Sequence, residues 1–599
     1  MLSFLVLFAI HVYGVFIILP PPAQLLNDEP IFNHDFPVHF YQAYTTRRYL
    51  LRSGRTWGYD PYYMAGYPGN TIYDAGYKLN NIFVFVFSPL LGLARAYKLF
   101  VLLTFLLAPP VLYGAAKKFG LSPGGCLAAL GLAVFFWHLD HNFTGIPRPV
   151  SGFLMWGMFT FAFACFFAVY LVALFYAYSR RRRKSDLILL FVLGPLLPAT
   201  HLFSLLIAWL PLLVIFLHYL PRRGVRYLGL VLAWTAWIFA ANSFWLIPLL
   251  RFREIGLYWP TGSRPLAAMI GHYTFRAGGL RPLGLLLFFG AVGTANWRGE
   301  ESVLQKVYLI SGAYLLLLGL FGSRIHFLAS FEPTRFIGSL KVLLLVPAAA
   351  AVWLLFRQLS SRAARVLLAA PALAFLIYLM PSTGRLCADL PPQARDFIAF
   401  LEEHTDRSAR ILMQNSDPEN IGRYFGTHML ILPPDLPREQ IGGPHYLVPK
   451  QHHFAEFKGD FIFGRHLGEW EPGRLKEYLD LYNIKWVVVW SDFARDYFQR
   501  LEGYAVEIGR LPAGRRGFTV YELSRRPDYF LAGGGTVEAD YDRIRISGAS
   551  TGEIIIKYHW IKTLKTDPPV PLDPVHRLSD PVPFIRLENP GYPEIVIYN

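Results

Sequence analysis

Asp35, in His34-Asp35-Phe36-Pro37-Val38-His39, follows the first apolar run of the chain and opens its richest polar segment. A carboxylate in that place suits a general base toward a hydroxyl. Beyond it lies Trp57-Gly58-Tyr59-Asp60-Pro61-Tyr62-Tyr63-Met64-Ala65-Gly66-Tyr67-Pro68, where aromatic faces suit sugar rings and Gly and Pro suit tight turns. Lys78 follows this loop, and later connections between apolar runs carry Asp140, His141, His201, Arg276, Arg324, Glu332 and Arg335. A carboxylate pair plus several cations suits a reaction in which a base activates a hydroxyl while cations hold a phosphate leaving group. Each residue also has a plain structural role to weigh. Asp35 before Phe36-Pro37 reads as a helix N-cap, His201 as a satisfied turn residue, Arg335 as a snorkelling anchor, and Tyr and Trp as an interfacial belt.

The elements that must position these residues are set by composition. With 599 residues, 54% hydrophobic and 16% charged, the chain is too apolar for an ordinary soluble protein. The apolar excess lies in residues 1–380, while 381–599 has globular composition. A span takes about 20 apolar residues. Runs at 1–19, 99–116, 123–138, 151–178, 187–200, 203–220, 227–250, 283–297, 303–321, 336–356 and 366–380 predict a polytopic α-helical membrane protein of about eleven transmembrane helices. The first run lacks a basic flank and a cleavage site and reads as a signal anchor. Residues 81–93 are too short to span. The predicted spans are nearly free of ionisable residues.

Charge placement orients the chain. Lys117-Lys118, the run Arg180 to Lys184, Arg222-Arg223 with Arg226, the stretch 298–306, and Arg357 with Arg362 and Arg365 all fall on one side, which the positive-inside rule makes cytoplasmic. The net charge of +16 therefore reflects topology, and a nucleic-acid partner is not indicated. The N-terminus is then cytoplasmic. The first loop (20–80), residues 139–150, the His201 turn, 251–282, 322–335 and the C-terminal region are extracytoplasmic, in a multi-pass cell (plasma or inner) membrane protein. Three cysteines give neither a disulfide framework nor metal spacing. Residues 381–525 mix helical and strand patterns, predicting an α/β domain, and 526–599 alternates as a β-sandwich, with strands around 543–546, 553–557 and 594–597.

The pattern His-Asp-x-x-x-His, then Trp57-Gly58-Tyr59-Asp60-Pro61 and Ala65-Gly66-Tyr67-Pro68, resembles the first external loop of bacterial GT-C glycosyltransferases. The likeness is closer to the branch labelled as a 6-pyruvoyl-tetrahydropterin-synthase-related, or YfhO-like, membrane domain. Phe331-Glu332-Pro333-Thr334-Arg335-Phe336, Tyr482-Asn483-Ile484-Lys485-Trp486-Val487-Val488-Val489 and Lys557-Tyr558-His559-Trp560 are similar to later elements of that branch. The resemblance implies a polyprenyl-phosphate-linked sugar as donor, a membrane-lipid environment, an acceptor that is a glycan, lipid or protein, and inverting transfer of a hexosyl or pentosyl group. It implies Asp35 and Asp140 as catalytic acids. Arg335 and Arg324 would meet the donor phosphate, with Arg276, Lys78, His201, His34, Tyr59 and Trp57 completing the donor site. The first-loop acid is single, which leaves a divalent cation (magnesium or manganese, held by Asp35, Asp140 and His141) an open requirement. No Trp-Trp-Asp motif of oligosaccharyltransferases is present. The alternative is a non-enzymatic membrane protein, a lipid-linked-sugar flippase or a structural subunit of a larger assembly. A flippase needs polar groups along a path through the bilayer.

Overall fold

The computed structural model describes residues 2–72, 77–139, 154, 157–257, 275–276, 279–280, 282–297, 299–329, 332–358, 385–415, 434, 436–442, 450–512 and 517–599. In chain order the principal helices are α1 (Leu2–Ile18), α2 (Phe36–Ser53), α3 (Lys78–Leu91), α4 (Leu93–Phe119), α5 (Pro123–Leu139), α6 (Phe159–Arg181), α7 (Lys184–Leu193), α8 (Leu196–Thr200), α9 (Ser204–Arg251), α10 (Pro282–Ala295), α11 (Ser302–Phe321), α12 (Arg335–Gln358), α13 (Pro392–His404), α14 (Pro472–Leu481) and α15 (Asp492–Gln499). They divide between two compact units. One comprises Met1–Ile31, Ala75–Leu246 and Tyr258–Ala388; the other comprises Phe32–Asp74, Ile247–Leu257 and Asp389–Asn599.

The first unit is helical and of membrane type. Among the described residues five stretches are long and apolar enough to cross a bilayer: α4, α6, α9, Ser302–Arg324 and α12. α9 is 48 residues long, but Gly224 leaves the helical region at φ 70°, so it is two helices meeting at a break. The run at 187–200 forms two short helices, because Gly194-Pro195 interrupts it between α7 and α8. Residues 81–93 fall mostly in α3, which is 14 residues long, about 21 Å, and shorter than a span. The run at 366–380 lies outside the described residues. A helical membrane-type unit is thus established, and the full count of eleven is not. α4 lies along α6, and α10 along α12. At the α10–α12 crossing a Cβ on Gly293 would stand 1.9 Å from the Pro347 carbonyl oxygen, so only glycine lets the two backbones meet.

The unit is less free of buried polar groups than its hydropathy suggests. His11 Nδ1 lies 3.0 Å from His138 Nε2, joining α1 to α5, and His11 Nε2 lies 3.0 Å from the Phe105 carbonyl. Lys341 in α12 is 1% exposed. Such groups are costly in a bilayer and are kept where they face other protein groups.

The second unit begins with a mixed sheet. Its strands are β3 (Arg410–Asn415), β4 (Gln440–Ile441), β5 (Phe457–Lys458), β6 (Phe461–Ile462), β7 (Arg465–His466), β8 (Ile484–Val489), β9 (Ala505–Leu511) and β10 (Phe518–Leu523), after the loop hairpin β1 (Gly58–Asp60) and β2 (Tyr67–Gly69). The order is β9-β10-β8-β3-β5-β6-β7, with β4 also paired to β3. β8 is central, parallel to β3 and antiparallel to β10. It reads Ile-Lys-Trp-Val-Val-Val because both of its faces are covered. Val487 and Val489 enter one core and Trp486 and Val488 the other.

Two four-stranded antiparallel sheets follow: β11 (Phe530–Ala532), β14 (Gly552–His559), β17 (Phe584–Asn589) and β16 (Leu572–Val575) in one, and β12 (Thr536–Asp540), β13 (Arg543–Ser547), β18 (Glu594–Tyr598) and β15 (Lys565–Asp567) in the other. Ile554, Ile556, Ile585 and Leu587 of the first share one core with Ile544, Ile546, Ile595 and Ile597 of the second. This is the sandwich that the period-2 alternation predicts.

Candidate functional site

Asp35 stands at the N-cap of α2, with Pro37 in the first turn, where proline's missing N–H costs nothing. Its backbone carbonyl accepts the His39 N–H at 3.1 Å, while its carboxylate makes no capping hydrogen bond to the helix. It is half-buried. His34 beside it takes φ 43°, turning the chain sharply into the helix. α2 then buries Phe36, Val38, His39, Phe40 and Tyr41, so the position of Asp35 is set by a well-packed helix.

Trp57 and Tyr59 lie inside the second unit, enclosed by protein. Tyr59 is fully buried; its N–H donates to Asp542 Oδ1 at 2.6 Å and its hydroxyl to the His559 carbonyl at 2.9 Å. Trp57 is 7% exposed, with Phe252 edge-on at 5.4 Å and the Arg55 guanidinium 4.9 Å from its ring. Both side chains join the sandwich core, and their faces are spent on protein contacts that hold the loop to the terminal sheets. Sequence spacing alone does not separate a buried aromatic from a sugar platform.

The same packing reveals a carboxylate whose importance the motif does not announce. Asp60 is fully buried, accepts the Tyr41 hydroxyl at 2.7 Å and the Tyr62 N–H at 3.0 Å, and has Lys450 as a favourable charge. Burial dominates and pushes its carboxyl from 3.8 up to about 7, against the lowering effect of those partners. The folded state therefore holds this proton more tightly than the unfolded chain. The resulting stabilisation is complete below pH 3.8 and is lost as pH rises through about 7, a span worth at most roughly 4 kcal/mol. The melting temperature of the wild type is expected to fall more steeply than that of Asp60→Asn between about pH 4 and pH 7. Parallel curves for the two proteins would show that Asp60 does not titrate there.

In the helical unit an aromatic chain includes His201 and ends on residues next to two other proposed donor-site residues, Lys78 and Arg335. Tyr77, next to Lys78, packs edge-on to His201 at 5.6 Å; His201 meets Phe203 at 5.0 Å; and Phe203 meets Phe336, next to Arg335, at 6.3 Å. Lys78 and His201 are buried. His201 caps α8, and its Nδ1 accepts the Phe203 N–H at 3.2 Å, so it also holds its own turn. Arg335 opens α12 and donates from Nε to Glu332 at 2.6 Å, so a phosphate there would compete with a carboxylate. Arg324 is exposed, its guanidinium 5.8 Å from the Phe321 ring. A Cβ on Gly322 would come within 2.6 Å of the Pro333 side chain, which draws the Arg324 turn close to the Arg335 turn.

Asp140 and His141 lie outside the described residues, and Arg276 is described only as backbone in a two-residue hairpin pairing Phe275 with Leu280. Among the described residues no three His, Cys, Asp or Glu side chains form a group that could hold a metal ion, so no step through a cation is derived. Lys341, a lysine within the apolar stretch Ser339-Leu340-Lys341-Val342-Leu343, is a further buried ionisable group of the helical unit, and its place in an apolar run is the sequence signal for it.

No family model matches the sequence, and no curated protein matches it. Solved structures do match in fold. The arabinofuranosyltransferase AftD from Mycobacteria superposes with a TM-score of 0.55 at 15% identity over 88% of this chain and 40% of its own. ArnT from Cupriavidus metallidurans superposes with a TM-score of 0.50 at 14% identity, over 86% of this chain and 97% of its own. The chain spans about 40% of the length of AftD. The likeness to these two structures is one of fold, and it agrees with the fold that the motif resemblance to GT-C glycosyltransferases implies.

Proposed function

We propose that the chain is a GT-C glycosyltransferase that moves a hexosyl or pentosyl group from a polyprenyl-phosphate donor to an acceptor glycan, lipid or protein at the extracytoplasmic face. The observation that carries this reading is the aromatic chain Tyr77–His201–Phe203–Phe336, whose end members neighbour Lys78 and Arg335 in sequence, within a helical unit of GT-C-like fold. Lys78, His201 and Arg335, with Arg324 and Arg276, hold the departing phosphate. Asp35 accepts the proton of the acceptor hydroxyl as its oxygen bonds the anomeric carbon and the bond to phosphate oxygen breaks on the opposite face, inverting the centre. Asp140 is the second acid, His34 flanks the base, and Trp57 and Tyr59 support the loop that carries both. The YfhO-like branch, about eleven spans with a cytoplasmic N-terminus, a boundary near residue 525 between the mixed sheet and the sandwich, and a cation at Asp35, Asp140 and His141 belong to the same proposal.

A flippase draws its support from Lys341, buried within α12. One assay separates the two readings. Purified protein in lipid vesicles, given polyprenyl-phosphate-linked sugars and a panel of acceptors, is expected to release polyprenyl phosphate only when acceptor is present. Donor that crosses the bilayer but is never consumed would establish transport instead.

A further inference from the structure

The far end of the helical unit holds a second, chemically distinct cavity. Arg180, Arg181, His218, Tyr219, Arg222 and Arg223 line a space of about 550 Å³ that contains no acidic side chain. It forms where two helices stop together. α6 ends as Arg182 turns left-handed at φ 59°, and the first half of α9 ends at Gly224. Arg223 donates to the Arg180 carbonyl at 2.8 Å, and Ser179 and Tyr227 hydroxyls meet at 2.6 Å, tying the two ends together. Asp186 on the adjacent α7 is already ion-paired with Lys118.

Basic residues at this end orient the spans, but orientation requires charge, not convergence. Each helix C-terminus offsets about half a charge, so two such ends leave a net positive charge among Arg181, Arg222 and Arg223. An anion with several oxygens would match the remainder. A second observation indicates which anion. An apolar cavity of about 340 Å³ lies along the same helices, lined among others by Phe175, Phe216, Val231 and Trp234. Phe175 precedes Arg180 by five residues, about 7.5 Å along the helix, and Phe216 precedes His218 by two. A charged head site thus adjoins a greasy tail site. His201, packed on Phe161 at 5.0 Å, lies toward the other end of α6, about 30 Å away along the helix and so near the opposite headgroup plane.

We propose that this is a binding site for an anionic phospholipid, its headgroup phosphate held by Arg180, Arg181, Arg222 and Arg223 and an acyl chain lying in the apolar groove. It is separate from the proposed transfer chemistry. The test uses the full-length protein purified in detergent and native mass spectrometry with equal phosphatidylglycerol and phosphatidylcholine. The wild type is expected to retain phosphatidylglycerol at least about tenfold over phosphatidylcholine. Arg181→Gln/Arg222→Gln, which keeps the Arg223 contact to Arg180, is expected to lose that preference. Lys117→Gln/Arg357→Gln removes the same charge from exposed positions outside the cavity and is expected to keep it. No preference in the wild type, or equal loss in both variants, overturns the proposal. Displacement of the lipid by excess inorganic phosphate, with the ion binding as tightly as the lipid, would assign the cavity to the free ion and overturn the lipid assignment.

Discussion

Asp35→Asn is expected to reduce sugar transfer by about two to four orders of magnitude, with donor binding and melting temperature unchanged. The substitution keeps the shape of the side chain and removes only its ability to take a proton. Asparagine is as good an N-cap as aspartate, and the Asp35 carboxylate makes no hydrogen bond to the first turn of α2. Helix stability therefore has little to lose. A purely structural Asp35 gives the opposite pattern, with transfer unaffected. Turnover of the purified variant on a polyprenyl-phosphate-linked donor, measured beside donor affinity and thermal unfolding, distinguishes the two. Full turnover would remove Asp35 from the chemistry.

Glu439→Ala is expected to destabilise the second unit by about 3–5 kcal/mol. Arg410 is fully buried at the start of β3, and its Nε donates to Glu439 at 2.7 Å. Its Nη1 donates to the Tyr482 carbonyl at 3.0 Å, and its guanidinium lies 4.5 Å from the Tyr558 ring and 5.1 Å from the Tyr529 ring. The Tyr558 hydroxyl donates to Glu439 in turn, so the pair joins the mixed sheet to the sandwich. Burial raises the Glu439 carboxyl, opposed by the Arg410 charge. Without Glu439, that guanidinium remains buried with no countercharge, the costly half of a buried ion pair. Arg410→Met/Glu439→Met, which removes both charges, is expected to be less destabilised than Glu439→Ala alone. Hydrogen exchange of β3 and β8 is the measurement; the single variant should open those strands roughly two to four orders of magnitude more often. Equal destabilisation by both variants would locate the effect in packing, not in charge.

The parts of this protein that could be read without coordinates rest on local chemistry. Hydropathy separates a membrane-type helical unit from a globular C-terminal region, since bilayer insertion depends on the summed transfer energy of a contiguous stretch. Period-2 alternation in Arg543-Ile544-Arg545-Ile546 marks a strand with one buried face, and that strand lies in the sandwich. Phe36-Pro37 marks the start of a helix, and α2 begins there.

What required tertiary structure is which partner each polar or aromatic group finds. Trp57 and Tyr59 have the composition of a sugar platform but belong to a core, because the Trp57 ring meets Phe252, the Tyr59 N–H donates to Asp542 and the Tyr59 hydroxyl to the His559 carbonyl, all from distant parts of the chain. Asp60 looks like any loop acid before proline; only its removal from solvent raises its carboxyl to about 7, against the lowering effect of the Tyr41 hydroxyl and the Tyr62 N–H. Arg410 and Glu439 are ordinary charges until 29 residues of chain bring them together. That Arg335 pairs with Glu332, one turn away, is likewise visible only in the fold. Sequence by itself determined that an apolar helical region precedes a globular one, where α2 and several strands begin, and that acids and cations occur between the apolar runs. The fold alone decided which of those charges face one another, because burial and pairing depend on distance in space, which periodicity along the chain does not encode.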